Sequence, residues 1–184
     1  MAACKAVGER PLIIDAGCGT GASTRLLATR FPDHFVIGID QSAHRLGRFS
    51  DREGALPRNG ITVRADLADY WRLLQAEGIT VARQYLLYPN PWPKAAHVRR
   101  RWHAHPVFPT MVALGGYFEC RSNWHVYIEE CAAALRQLGA ADVECERHMP
   151  FEPMTLFESK YLASGHELWR CTAQLSVPAL AKTV

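Results

Sequence analysis

Near the start of the chain, Asp15-Ala16-Gly17-Cys18-Gly19-Thr20-Gly21 limits the possible fold more than any other stretch. Pro11-Leu12-Ile13-Ile14 before it is a short apolar run that reads as a buried strand. Ala22 to Arg30 after it reads as a helix with Leu26 and Leu27 turned inward. Strand, glycine loop and helix in that order let a backbone approach a nucleotide closely. Glycines permit the sharp turn and leave room for a ligand. The free amides at the helix start face that ligand.

The flanking acids bear on which nucleotide fits. Gly17-x-Gly19-x-x-Ala22 matches a dinucleotide fingerprint. Acid-x-Gly-x-Gly-x-Gly, ending at Gly21, matches the first motif of S-adenosylmethionine (SAM) methyltransferases. Asp15 favours SAM, because a strand-end carboxylate suits a cationic amino group and is badly placed beside a pyrophosphate. Asp40 ends the next strand, Phe35-Val36-Ile37-Gly38-Ile39, where a carboxylate can accept both ribose hydroxyls of either cofactor. A nicotinamide cofactor remains the other reading, and an ordinary strand–turn–helix with a solvated Asp40 the plainest.

A length of 184 residues suits one α/β domain, expected to cover 1–184. No run is apolar enough to span a membrane, and Met1 to Arg10 lacks a secretory core. The six cysteines (4, 18, 120, 131, 145, 171) form no CxxC pair and no zinc-type spacing, so no metal is expected. Most fall inside expected strands or helices as small apolar residues. A cytoplasmic monomer or homodimer is the expectation. Net charge is only +3, but Gly78 to Phe118 contains no acid and holds Arg83, Lys94, Arg99, Arg100 and Arg101, with His97, His103 and His105. Such a surface attracts a polyanion.

Ser42 to Asn59 is polar, with a helical first half. Ile61 to Ala65 reads as a third strand ending at Asp66, which can cap a helix carrying Leu67, Tyr70, Trp71 and Leu74 on one face. Gln84 to Tyr88 is the fourth strand, and the alternate prolines of Pro89-Asn90-Pro91-Trp92-Pro93-Lys94 forbid regular structure after it. Pro106 to Ala113 reads as a helix and Gly116 to Cys120 as the fifth strand. Trp124, Tyr127, Ile128, Cys131, Leu135 and Leu138 line one helix face. Ala141 to Arg147 is a strand, Met149 to His166 irregular, and Glu167 to Leu175 closes the sheet. The alternation predicts a Rossmann-like, doubly wound, mostly parallel seven-stranded sheet with an antiparallel edge. Asp15, Asp40, Asp66 and Asn90 all fall at strand ends, where such sheets bind ligands. Asp66 there lies near the adenine, in addition to capping its helix. Asn90 offers one acceptor and two donors where the transferable methyl should point. Trp92 and Trp102 offer stacking faces, and Lys94 to His105 a phosphate-binding surface.

These residues together resemble the tRNA (guanine-N7)-methyltransferases. Tyr88-Pro89-Asn90-Pro91-Trp92-Pro93-Lys94, then His97 and Arg99-Arg100-Arg101, is similar to that family's "PDPWPKKRHxKRR" run. Ser122-Asn123-Trp124 resembles its "TDW" segment, Thr155-Leu156-Phe157-Glu158 its "TxFE", and Gly165-His166 with Trp169 the "GH…VW" that follows. The likeness runs in order from about Pro11 to about Ala173. It implies a class I methyltransferase that binds SAM through Asp15, Gly17, Gly19, Gly21, Asp40, Asp66 and Asn90. It also implies Asn90 as the catalytic position, and tRNA contact through Lys94, Arg99, Arg100, Asn123, Thr155, Phe157 and Glu158.

Two positions depart from the family pattern: Asn90 and Asn123 stand where it has aspartates. Guanine N7 carries a lone pair and no proton, so its methylation needs placement rather than a base. An amide can orient the ring but lacks a carboxylate's charge stabilisation, on the order of a few kcal/mol in a dry site. Asn-Pro-Trp also approaches the Asn-Pro-Pro-aromatic turn of amino-group methyltransferases. Another base or amine, or a weakened homologue that only binds SAM or RNA, are the alternatives. The N-terminal extension common in the family has no counterpart before Pro11.

Overall fold

The computed structural model describes residues 10–48 and 55–177. Seven strands pair into one sheet: β1 Leu12–Ala16, β2 Phe35–Asp40, β3 Gly60–Arg64, β4 Arg83–Leu87, β5 Gly116–Ser122, β6 Ala141–His148 and β7 Leu168–Leu175. Their order is β3-β2-β1-β4-β5-β7-β6. Pairing is parallel from β3 to β5, and β7 runs antiparallel between β5 and β6. Every residue of β1 and β2 is buried, as continuous apolar strands covered on both faces must be. β3 and β6 are the two edges, and β6 carries Glu144, Glu146 and Arg147 exposed, which discourages pairing with another chain.

Side-chain alternation splits the core in two. Leu12, Ile14 and Ala16 face the larger cluster, with α3 (Leu67–Ala76), α4 (Phe108–Ala113) and α5 (His125–Gln137) packed over it. Ile13, Val36 and Tyr85 face a smaller cluster under α1 (Ala22–Arg30). Two shorter helices are α2 (Ala43–Gly47), capped by Ser42, and α6 (Leu156–Ala163). The rest of the polar stretch beyond α2, residues 49–54, lies outside the described residues, as does Cys4.

Two expectations are corrected. Met149 to His166 is not wholly irregular: Leu156–Ala163 within it is helix α6, capped by Thr155, which accepts from the Glu158 N–H at 3.0 Å. Only Glu158 is buried on that helix, so no apolar stripe marked it. The α5 stripe is shorter than expected, with Tyr127, Ile128, Cys131 and Leu135 buried but Trp124 and Leu138 exposed. Among the described cysteines, Cys145 is exposed and the others are buried.

The contact of α1 with β2 is closest at Gly38. A Cβ there would lie 2.1 Å from Thr24 Oγ1 and 3.0 Å from Cys18 Sγ. Overpacking of this kind typically costs ~1–3 kcal/mol. Gly38→Ala is therefore expected to lower the melting temperature by several degrees, measurable by calorimetry, and to displace the glycine loop.

Candidate functional site

Because β1 to β5 run the same way, their carboxyl ends share one edge of the sheet. That edge collects the Gly17–Gly21 loop, Asp15, Asp40, Asp66, Asn90 and Asn123. Gly17, Gly19 and Gly21 have φ of 75, 61 and 88°, the left-handed region that favours glycine. The Gly17 and Cys18 N–H groups donate to the Ile39 carbonyl at 2.8 and 3.0 Å, which anchors the loop on β2. A Cβ on Gly19 would meet nothing within 4 Å. The loop thus borders open space and can admit a ligand.

Asp40 accepts from the Gly19 N–H at 3.0 Å and the Ser42 N–H at 2.8 Å, and pairs with Arg45 at 2.9 Å. Its carboxylate is fixed before any ribose arrives. Asp15 is 1% exposed. Its Oδ2 accepts from Ser23 and Thr24 hydroxyls, each at 2.7 Å, so it braces the first turn of α1. Burial raises its pKa to about 6, against the pull of those hydroxyls and with a further push from Asp40. Asp66 is exposed and caps α3, accepting from Ala68 and Asp69 N–H at 2.8 and 3.2 Å.

Tyr88 and Trp92, on either side of Asn90, have φ of 52 and 44°, a conformation rare for side chains of that size. Asn90 is exposed, and its Oδ1 accepts from the Trp92 N–H at 3.2 Å. The loop that follows is built of two 3-10 segments, Ala95–Arg100 and Trp102–Ala104. It folds back onto Trp92. Arg100 lies over the indole at 4.8 Å, His97 meets it edge-on at 5.5 Å, and Arg101 donates twice to its carbonyl.

The structure gives several of these residues partners within the chain. Trp92 fastens the basic loop to the turn instead of standing open as a platform. Trp102 packs against the larger core, edge-on to Trp71 at 5.1 Å. Arg101 is buried and bonds Glu130 at 2.5 Å, and His103 meets the same carboxylate at 3.0 Å. Lys94, Arg99 and Arg100 remain exposed. Thr155 serves as a helix cap, and Phe157 is half exposed. Glu158, expected at the substrate, is fully buried against Tyr88 and Arg121. Arg121 and Tyr88 are the residues missed. The alternation of Glu119 and Arg121 in an otherwise apolar strand was their one visible signal. Among the described residues no cluster of His, Cys, Asp or Glu could hold a metal ion, and no helix is long and apolar enough to cross a membrane.

A family model described as a putative methyltransferase matches residues 9–171. The tRNA (guanine-N(7)-)-methyltransferase of Paraburkholderia xenovorans is 25% identical over 88% of this chain and 64% of its own length. That of Treponema pallidum is 28% identical over 89% of this chain and 68% of its own length. The chain thus spans about two thirds of these relatives. The crystal structure of the 16S rRNA methyltransferase KamB superposes with a TM-score of 0.65 at 16% identity, covering 94% of this chain and 91% of that one.

Asp15 makes stability pH-dependent. With its folded pKa raised from 3.8 to about 6, its contribution is fully present below the lower value and lost as pH rises through the upper one. Asp15→Asn removes that titration. Its melting temperature relative to the parent is expected to rise between about pH 4 and about pH 8, with a ceiling of ~3 kcal/mol. Parallel melts across that range check it.

Proposed function

We propose that this chain, which belongs to the putative methyltransferase family, transfers a methyl group from SAM to a tRNA base, guanine N7 first. The observation that carries this reading is the shared edge. A glycine loop and three strand-end acids adjoin a rigid Asn90 turn, itself bordered by Lys94, Arg99 and Arg100. The names of the tRNA (guanine-N(7)-)-methyltransferase relatives supply the base and the class of RNA. A cytoplasmic location goes with that substrate.

The residues present fit SAM. Asp40 offers a fixed carboxylate for the ribose, Asp66 an exposed one for the adenine amine, and Asp15 holds the loop that would face the methionine end. SAM supplies an electrophilic sulfonium methyl. N7 brings its own lone pair, so no side chain must remove a proton, and placement of the ring accounts for most of the acceleration. Asn90 orients the base from a turn too rigid to wander. Asn123, after β5, and the exposed Phe157 flank the same approach. Lys94, Arg99 and Arg100 take phosphates, which set register and carry no base specificity.

Incubation with labelled SAM and tRNA, followed by nucleoside analysis, is expected to yield 7-methylguanosine. Absence of label from every RNA ends the reading. Each of Lys94→Ala, Arg99→Ala and Arg100→Ala is expected to flatten the salt dependence of tRNA affinity by roughly one in log–log slope. The two amides favour one other reading, an exocyclic amine as acceptor. For guanine N7, Asn90→Asp should raise kcat/KM by ~10-fold or more, since a carboxylate stabilises the charge developing on the ring. A loss of similar size assigns the amide a working role and favours the amine.

A further inference from the structure

Helix α6 is docked in an unusual way. Leu156, Phe157 and Leu162 are 53, 53 and 38% exposed, while Glu158 is 0% exposed and is the one residue the helix buries. Surface helices ordinarily dock through an apolar stripe. Here a carboxylate does it. Glu158 Oε1 accepts from Tyr88 Oη at 2.7 Å and Arg121 Nη1 at 2.9 Å, and Oε2 accepts from the Met154 N–H at 2.5 Å. The Arg121 Nε donates onward to Glu119 at 2.6 Å, and Tyr117 donates to the other Glu119 oxygen at 2.7 Å. A line of ion pairs and hydrogen bonds therefore runs from β5 into α6.

Tyr88 lies at the middle of this arrangement and two residues before Asn90. Its left-handed backbone is costly for a large side chain, and such a conformation persists only when its surroundings impose it. The Tyr88 N–H donates to the Arg121 carbonyl at 2.8 Å, its hydroxyl donates to Glu158, and its ring rests 5.7 Å from that of Tyr161 on α6. Removing the Glu158 carboxylate would free the hydroxyl end and strip α6 of its tether together.

We propose that Glu158 is a positioning residue: its buried carboxylate ties helix α6 to Tyr88 and thereby sets the turn that presents Asn90. It touches no reacting atom. The tether acts on the turn: Thr155 caps α6 through its own hydrogen bond to the Glu158 N–H and does not depend on the carboxylate. The catalytic consequence rests on the function proposed above; the mechanical one does not.

Hydrogen exchange on the full chain tests the mechanical part at the Tyr88 and Trp92 amides, which donate to the Arg121 carbonyl and to Asn90 Oδ1. Tyr88→Phe keeps the ring and the Arg121–Glu158 pair, and Glu158→Gln keeps the shape. Both are expected to speed exchange at these amides by ~10-fold or more while leaving β1 to β3 protected. SAM affinity, read by calorimetry, should change by less than ~2-fold in either variant. In tRNA methylation, kcat should fall ~10-fold with KM for tRNA nearly unchanged, and the double variant should be no worse than the poorer single one. Unchanged exchange in Tyr88→Phe overturns the proposal. A rise in KM alone does too, because it places Glu158 at the substrate. If Glu158→Gln does not fold, Tyr88→Phe decides. A chain that transfers no methyl but shows the faster exchange removes the proposed function and keeps the tether.

Discussion

Parallel hydrogen bonding from β3 to β5 is the constraint under which every candidate residue finds its place. Five strands pointing one way must each be left at the same edge and re-entered at the other, so the connecting loops that carry chemistry accumulate together. The order β3-β2-β1-β4-β5 reverses direction between β1 and β4, and the crevice outside that reversal is where open α/β sheets hold ligands. The Gly17–Gly21 loop leaves β1 and the Asn90 turn leaves β4, one on each side of it. Such crowding has a cost. Asp15 and Asp40 are both almost wholly buried and each raises the other's energy as an anion. The chain offsets this with the hydroxyls of Ser23 and Thr24 on one and two amides plus Arg45 on the other.

Apolar runs made the central parallel strands legible, and the acid or amide at the ends of β1 to β4 marked the shared edge. Family resemblance extended that list, and the fold and the family match over residues 9–171 agree with its methyltransferase class. What stayed hidden shares one physical character: the partner is remote in sequence. Arg101 and His103 stand in a window without acids, yet both meet Glu130, which lies beyond it. A buried cation and a solvated one look alike in a string of letters. Trp102 was equally ambiguous, since an indole serves a core or a base-stacking face, and only Trp71 lying against it decides. Helix α6 escaped because helix recognition weighs apolar periodicity, and this helix docks by Glu158 to Arg121, 37 residues away.

The Glu158 site also shows why such a tether can be strong. Burial alone would push this carboxyl's pKa up, but nearby His148, the Arg121 guanidinium, the Met154 amide and the Tyr88 hydroxyl outweigh it and hold it at about 2. The sign is opposite to that of Asp15. A depressed carboxyl contributes stability that is complete above its ordinary value of 4.5 and vanishes as pH falls toward 2. One acid is therefore a local cost of keeping a ligand loop taut, and the other a local gain that fastens the turn opposite.

Charge around the reacting centre then divides by side. On the side of the Asn90 turn, Asn90 and Asn123 are neutral, Glu119 and Glu158 share the one guanidinium of Arg121 below the surface, and Lys94, Arg99 and Arg100 leave the rim positive. That distribution suits a phosphate backbone and opposes a cationic base. On the other side, where a sulfonium cofactor would lie, Asp40 is paired with Arg45 and Asp66 stands exposed. Methyl transfer moves positive charge from sulfur toward the base, away from these acids. With aspartates at 90 and 123 that movement would be downhill in potential; with amides it would lose that help, and under the proposed function orientation by the braced turn would supply more of the rate. Under that function, the fixed backbone at Tyr88 and Trp92 would matter more in this chain than in one that keeps both carboxylates.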